Sequence, residues 1–231
     1  MEKSGSTDSL KMQPDSGELP IHHVQAYCLS IAYLAPVQYY AVLTNAGNIV
    51  LEQHEHYVKQ SFRNRCVIAT ANGLMDLTIP IEKTGEQKSL IRDVRISNHV
   101  NWQINHWRSM ESAYSSSPFF EYYADDLLPF YEKKWVFLWD FNLALQTKIL
   151  ELIDLQPNII LSQKYLKNQG EHYIDLRERI HPKKENLVQH DYPYYQVFQQ
   201  KSGFRNNLSI IDLLFNMGNE SILLLKKYKN Q

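Results

Sequence analysis

The chain has 231 residues, 44% of them hydrophobic and 21% charged, and a net charge of −1. That length and composition suit a globular protein with a sizeable core. The near-neutral balance argues against nucleic-acid binding, which leaves an excess of Lys and Arg on one face.

Residues 1–19 are rich in Ser, Asp, Gly and Pro, and such a stretch reads as a disordered tail. Residues 20–231 read as one domain. The polar start has no apolar signal region, and no later run reaches the ~18 apolar residues that span a bilayer. The expectation is a cytoplasmic protein without a membrane span.

From Leu29 the stretch LSIAYLAPVQYYAVLTNAG reads as a strand, a turn at Pro36 and a short apolar helix ending near Gly47. NIVLEQHEHY is strand-like in its first half, and RCVIATANGLMDLTIPIE gives two β-rich runs around Asn72-Gly73, a strong hairpin signal. SLIRDVRIS alternates well enough to pair with them. From Asn98 the pattern turns helical, with Gln103, Trp107, Met110 and Tyr114 on one stripe. Pro118 can open a second helix. A third, over roughly 137–154, carries Leu138, Phe141, Leu145, Ile149 and Leu152 on one face.

NIILSQKYL reads as another strand, whereas residues 167–193 are polar and irregular. In NNLSIIDLLFNMGNE an Asn cap precedes a last helix that stops at Gly218. Strands first and helices later predict an α+β fold, with a mixed, partly antiparallel sheet from the N-terminal half packed against later helices.

There is no Gly-rich phosphate loop, G-x-S-x-G elbow, H-E-x-x-H or paired C-x-x-C. P-loop phosphoryl transfer, ordinary α/β-hydrolase chemistry and zinc proteolysis are disfavoured. The two cysteines, Cys28 and Cys66, sit among apolar residues as buried thiols would, although Cys66 follows Arg63 and Arg65.

The densest polar stretch, LEQHEHYVKQSFRNRCVIATANG, begins at Leu51. His54 and His56 would share a strand face, as a metal pair could or as a solvated strand end would. Arg63 and Arg65 would also share a face, suited to a carboxylate or phosphate, or else to ion pairs with Glu52 and Glu55. Asn64 between them would face the core. In NWQINHWRSMESAY, Trp102 and His106 are four apart, so ring can lie on ring, while Arg108 and Glu111 can pair on another face. His106 could act as general base or acid with Glu111 as a second proton-transfer group, but only around a shared pocket. An amphipathic helix with core tryptophans and a satisfied histidine reads equally from the same residues. Ser162 is placed at a strand end, where α/β sites gather. HDYPYYQVFQQ, with His190, suits a sugar-stacking lip or an edge segment.

Taken together, AYLAPVQYY, EQHEHYVKQSFRNRCVIATANG, NWQINHWRSMESAYSSSPFFEYYADDLLPFYE and LSIIDLLFNMG resemble the WbqC-like family in order and spacing over roughly 30–218. The shared motif positions fall on Lys59, Arg63, Asn64, Arg65, Trp102, His106, Trp107, Glu111, Tyr114 and Phe119. Ala35 stands where another proline or a similar residue is common. The segment around 165–190 is short and lacks the Gly-rich stretch of some members.

The resemblance implies work in bacterial surface-polysaccharide (O-antigen) gene clusters: an acyl or aminoacyl transferase acting on a nucleotide-linked amino sugar. His106 and Glu111 are then the candidate catalytic residues. Lys59, Arg63, Asn64, Arg65, Trp102 and Tyr114 would bind a small-molecule substrate, a nucleotide sugar or an acyl donor, with no metal and no nucleic acid. A non-catalytic assembly protein of the same machinery is the other reading.

Overall fold

Ala26–Ser30 forms β1, Val37–Asn45 helix α1 and Ile49–Glu52 β2, a parallel βαβ unit in a computed structural model that describes residues 26–82, 89–167, 173–187 and 192–228. The tail and His190 lie outside the described residues. Helix α1 is buried from Val37 through Leu43, which is why its sequence is apolar on every side rather than striped. The hairpin follows as β3 (Arg65–Thr70) and β4 (Gly73–Thr78), closing at Thr70 opposite Gly73.

Then come α2 (Trp102–Tyr114), α3 (Phe120–Glu132) and α4 (Leu138–Leu152), with the short strands β5 (Ile159–Leu161) and β6 (Tyr173–Asp175) after them. The chain closes with α5 (Gln199–Ser202), α6 (Ile210–Met217) and α7 (Ser221–Lys227). The fold is α+β. Its main sheet is wholly parallel, in the order β5-β2-β1-β6, and the antiparallel pair β3-β4 stands apart as its own two-stranded ribbon.

Three local expectations change. SLIRDVRIS does not extend the hairpin: Ile91–Asp93 is a 3-10 turn, flanked by single bridges such as Ile81 to Ile96. Burial of Ile91 and Val94, three apart, decides for a turn over an alternating strand. The polar segment read as irregular supplies β6, whose three residues are too few to show periodicity. The cap of α6 is Ser209, while Asn207 sits at φ 56 with its side-chain oxygen accepting from the Gln38 N–H at 3.0 Å.

Gly218 ends α6 as expected, and two constraints hold it there. Its φ is +54, and a Cβ would meet the Phe119 ring at 2.8 Å. The core behind the sheet is aromatic: Phe141 of α4 meets Tyr33, Trp102 and Tyr131, with centroids 5.4–6.2 Å apart.

Candidate functional site

All four strands of the main sheet are parallel, so their carboxyl ends share one edge. Register aligns those ends: Ser30 lies opposite Glu52, and Cys28 opposite Asp175. Ser162, just past β5, donates its backbone N–H to the Leu51 carbonyl at 3.0 Å. The chain adds β2 and β5 on one side of β1, then returns to add β6 on the other. Open parallel sheets bind ligands outside the carboxyl ends at such a reversal.

Two buried ion-pair groups occupy this edge. In the first, the Arg63 guanidinium grips Glu55 bidentately, Nε to Oε1 at 2.8 Å and Nη2 to Oε2 at 2.6 Å. Nη2 also donates to Ser30 Oγ at 2.8 Å, and that hydroxyl donates to Glu55 Oε2 at 3.0 Å. In the second, Glu52 is fully buried. Its Oε1 accepts from Ser162 Oγ at 2.6 Å and from the His54 N–H at 2.7 Å; its Oε2 accepts from the Leu166 N–H at 2.7 Å and from Arg177 Nη1 at 3.4 Å. Arg177 also holds Asp175 through two nitrogens, at 2.9 and 2.5 Å, and lies over the Tyr165 ring. Burial resists both arginine charges, yet the Glu55 carboxylate beside Arg63 and the Asp175 carboxylate beside Arg177 push their pKa values up. Burial opposes ionisation of Asp175 too, and the Arg177 guanidinium outweighs it and holds the carboxyl below its usual range.

Sequestering charged groups costs several kcal/mol each unless partners and hydrogen bonds fully replace water, and apolar side chains would fill the same volume more stably. Concentrating such groups at the strand ends therefore marks a candidate site. Between the two groups lies a void of about 10 Å³, room for roughly one water. Ser30 at the end of β1 with Ile31 and Ala32 after it, Phe62 and Arg63, and Leu176 and Ile180 after β6 line it. The ammonium of exposed Lys183 donates to Gln60 Oε1 at 2.6 Å, which joins the turn after β6 to the segment that carries exposed Lys59. His181 is half-buried, its pKa held below the ordinary imidazole value chiefly by desolvation, with Nδ1 accepting the Lys183 N–H at 3.1 Å.

The sequence-predicted residues divide. Arg63 belongs to the strand-end site; Lys59 is exposed, next in sequence to the Gln60 that bonds Lys183. Asn64 is buried and donates its side-chain N–H to the Ile79 carbonyl at 2.8 Å, where it pins the hairpin base. Arg65 does not converge with Arg63: Arg63 precedes β3 and turns to the sheet, whereas Arg65 lies on the ribbon and pairs with Asp76 at 3.1 Å.

His106 and Glu111 are not brought together. Glu111 is exposed on α2. His106 is 6% exposed, stacked on Tyr33 and edge-on to Trp102. Its Nδ1 is 2.9 Å from the Tyr33 hydroxyl, and the Thr78 backbone is its other partner. Burial pulls its pKa down to about 4. Trp102 is core, and Tyr114 donates its hydroxyl to buried Asp212 at 3.0 Å. Among the described residues no group of three or more His, Cys, Asp or Glu is placed to hold a metal, and no helix is long and apolar enough to cross a membrane.

Sequence reasoning missed Ser30, Asp175, Arg177 and Glu178. It applied the strand-end rule to Ser162, because β5 was visible, and could not apply it to Asp175-Leu176-Arg177 with β6 unseen.

The sequence pattern of the WbqC-like protein family matches residues 32–184. The chain belongs to that family. The matched span contains both ion-pair groups apart from Ser30, together with α2. The chain is also 27% identical over 210 residues to a protein of Mycobacterium tuberculosis (strain ATCC 25618 / H37Rv) named Uncharacterized protein Rv1507c. That match covers 79% of this chain and 89% of the other. No solved structure matches.

The thiols are buried and free. Desolvation pushes Cys28 up to about 12 and Cys66 well above the usual thiol range. Neither carries a thiolate near neutrality. Both are expected to resist iodoacetamide in the native state and to react once urea unfolds the chain, as intact mass would show. Native labelling within minutes would place a thiol at the surface.

Proposed function

We propose that the protein is a transferase of bacterial surface-polysaccharide (O-antigen) biosynthesis, moving an acyl or aminoacyl group to a nucleotide-linked amino sugar. The pathway rests on the family resemblance. The site rests on one observation: a cavity flanked by the buried, ion-paired Arg63 and Arg177 at the reversal of a parallel sheet.

In this reading the exposed Lys59 and Lys183, flexible point charges on segments joined by the Lys183–Gln60 bond, meet the nucleotide diphosphate, and the strand ends hold the transferred group. Fixed charges that need no reorganisation are suited to an acyl-transfer transition state, where oxyanion charge develops. His106 acts as a positioning residue: its bond to Tyr33 ties α2 to the loop after β1 that walls the cavity.

A thermal-shift screen of the purified chain against nucleotide sugars tests this. A ligand at 100 times its Kd adds about 2.7 kcal/mol, several degrees of Tm. The shift is expected to shrink in Lys59→Gln/Lys183→Gln and at high salt. Silence across the panel would favour the non-catalytic assembly protein, which one observation already supports: the cavity in this conformation holds roughly one water.

A further inference from the structure

Arg63 carries one acceptor more than its chemistry needs. Nη2 has two hydrogens, and three acceptors surround it: Glu55 Oε2 at 2.6 Å, Ser30 Oγ at 2.8 Å and Glu178 Oε1 at 3.1 Å. The two shorter contacts come from buried groups that also bond to each other. Glu178 is the longest contact and comes from a side chain that is 56% exposed. It follows β6, in a segment whose Leu176, Arg177 and Ile180 line the cavity. Meanwhile Arg63 Nη1 donates to no acceptor among the described residues.

We propose that Glu178 is a built-in stand-in for a ligand carboxylate, and that Arg63 receives the carboxylate of an acidic small molecule when Glu178 swings into solvent. The inference rests on the strand-end site argued above and names what its inner end takes. Charge decides the class. Arg63 is already neutralised by Glu55, so the inner site has no net positive charge to attract a polyanion. Exchanging the Glu178 carboxylate for another carboxylate leaves the local charge unchanged. A guanidinium edge also matches a planar carboxylate in-plane. Glu178 is the partner that can leave, since an exposed ion pair contributes little. A carboxylate of this kind could come from an acidic sugar or from an acylated amino acid.

The test is NMR titration of the full chain, wild type and Glu178→Gln, with acetate, D-glucuronate, N-acetylglycine and inorganic phosphate. Acetate is expected to bind Glu178→Gln up to about fivefold more tightly than wild type, the range of one exposed ion pair. Amide shifts should centre on Ser30–Ala32 and Leu176–Ile180. Whichever of glucuronate and N-acetylglycine binds more tightly names the source. Equal acetate affinity in the two proteins, or the same gain for phosphate, overturns the stand-in. Silence with carboxylates alongside a lysine-dependent nucleotide-sugar shift overturns this inference alone. Carboxylate binding at these amides without any nucleotide-sugar shift overturns the nucleotide part of the proposed function and leaves this one standing.

Discussion

Arg63→Met is expected to lower the folding free energy by about 3–5 kcal/mol in urea unfolding, the usual cost of removing one partner of a buried ion pair. The loss is not that of a contact. It is the cost of leaving Glu55, 5% exposed, charged and unpaired beside Ser30. The double variant Arg63→Met/Glu55→Met should recover most of it, because apolar residues of similar volume replace a buried pair at little net cost. A coupling of that size would show that the pair is retained for something other than stability. If Arg63→Met cost under about 1 kcal/mol, the pair would be behaving as a solvated one, and the strand-end site would lose its fixed charge. Arg65→Met is the internal control: its partner Asp76 is half exposed at the surface of the ribbon, and a small effect is expected there.

Why two arginines read as one anion-binding pair part company in the fold is a matter of three-dimensional direction. The sequence places Arg63 and Arg65 two apart, and alternation along a strand puts such residues on one face. β3 begins only at Arg65, so the rule does not reach Arg63, which sits in the turn before it. The hairpin itself was legible because its two-residue turn and paired runs are local. The parallel sheet was not, since β5 and β6 join it from more than 100 residues downstream and each has three residues.

The helix on which the expected catalytic pair was placed, α2, was legible in the sequence. Periodicity identifies the face of α2 that is buried, and His106 lies on it with Trp102 and Met110. What periodicity cannot say is whether a polar residue on a buried face meets a cavity or a hydrogen-bond partner. Here Tyr33, from 73 residues earlier, supplies the partner. The same limit hid Asp212. It reads as a polar break in SIIDLLF, and it is the acceptor for Tyr194 at 2.6 Å, Gln196 at 2.9 Å and Tyr114 at 3.0 Å.

His106 and Asp212 together predict a pH signature in which two opposite slopes nearly cancel. For His106, burial holds the folded pKa at about 4 against 6.5 unfolded. Below pH 6.5 the unfolded chain takes up a proton that the fold refuses, so stability falls as pH drops toward 4. At 1.36 kcal/mol per unit the full loss is about 3 kcal/mol.

Asp212 runs the other way. Desolvation raises it to about 6 from 3.8, despite the Tyr194, Tyr114 and Gln196 hydrogen bonds. Between those values the folded state binds the proton, and its contribution to stability grows by a similar amount as pH falls through 6 toward 4. Urea unfolding at half-unit steps from pH 4 to 7 separates the two. Relative to wild type, His106→Gln should gain stability on acidification and Asp212→Asn should lose it, each by up to about 1.4 kcal/mol per pH unit. The direction of each difference, not its offset at pH 7, is the readout, since either substitution also disturbs hydrogen bonds that do not titrate. A His106→Gln profile parallel to wild type would mean that this histidine protonates in the native state, as a solvent-facing proton acceptor on α2 would. In that event the role of general base returns to it.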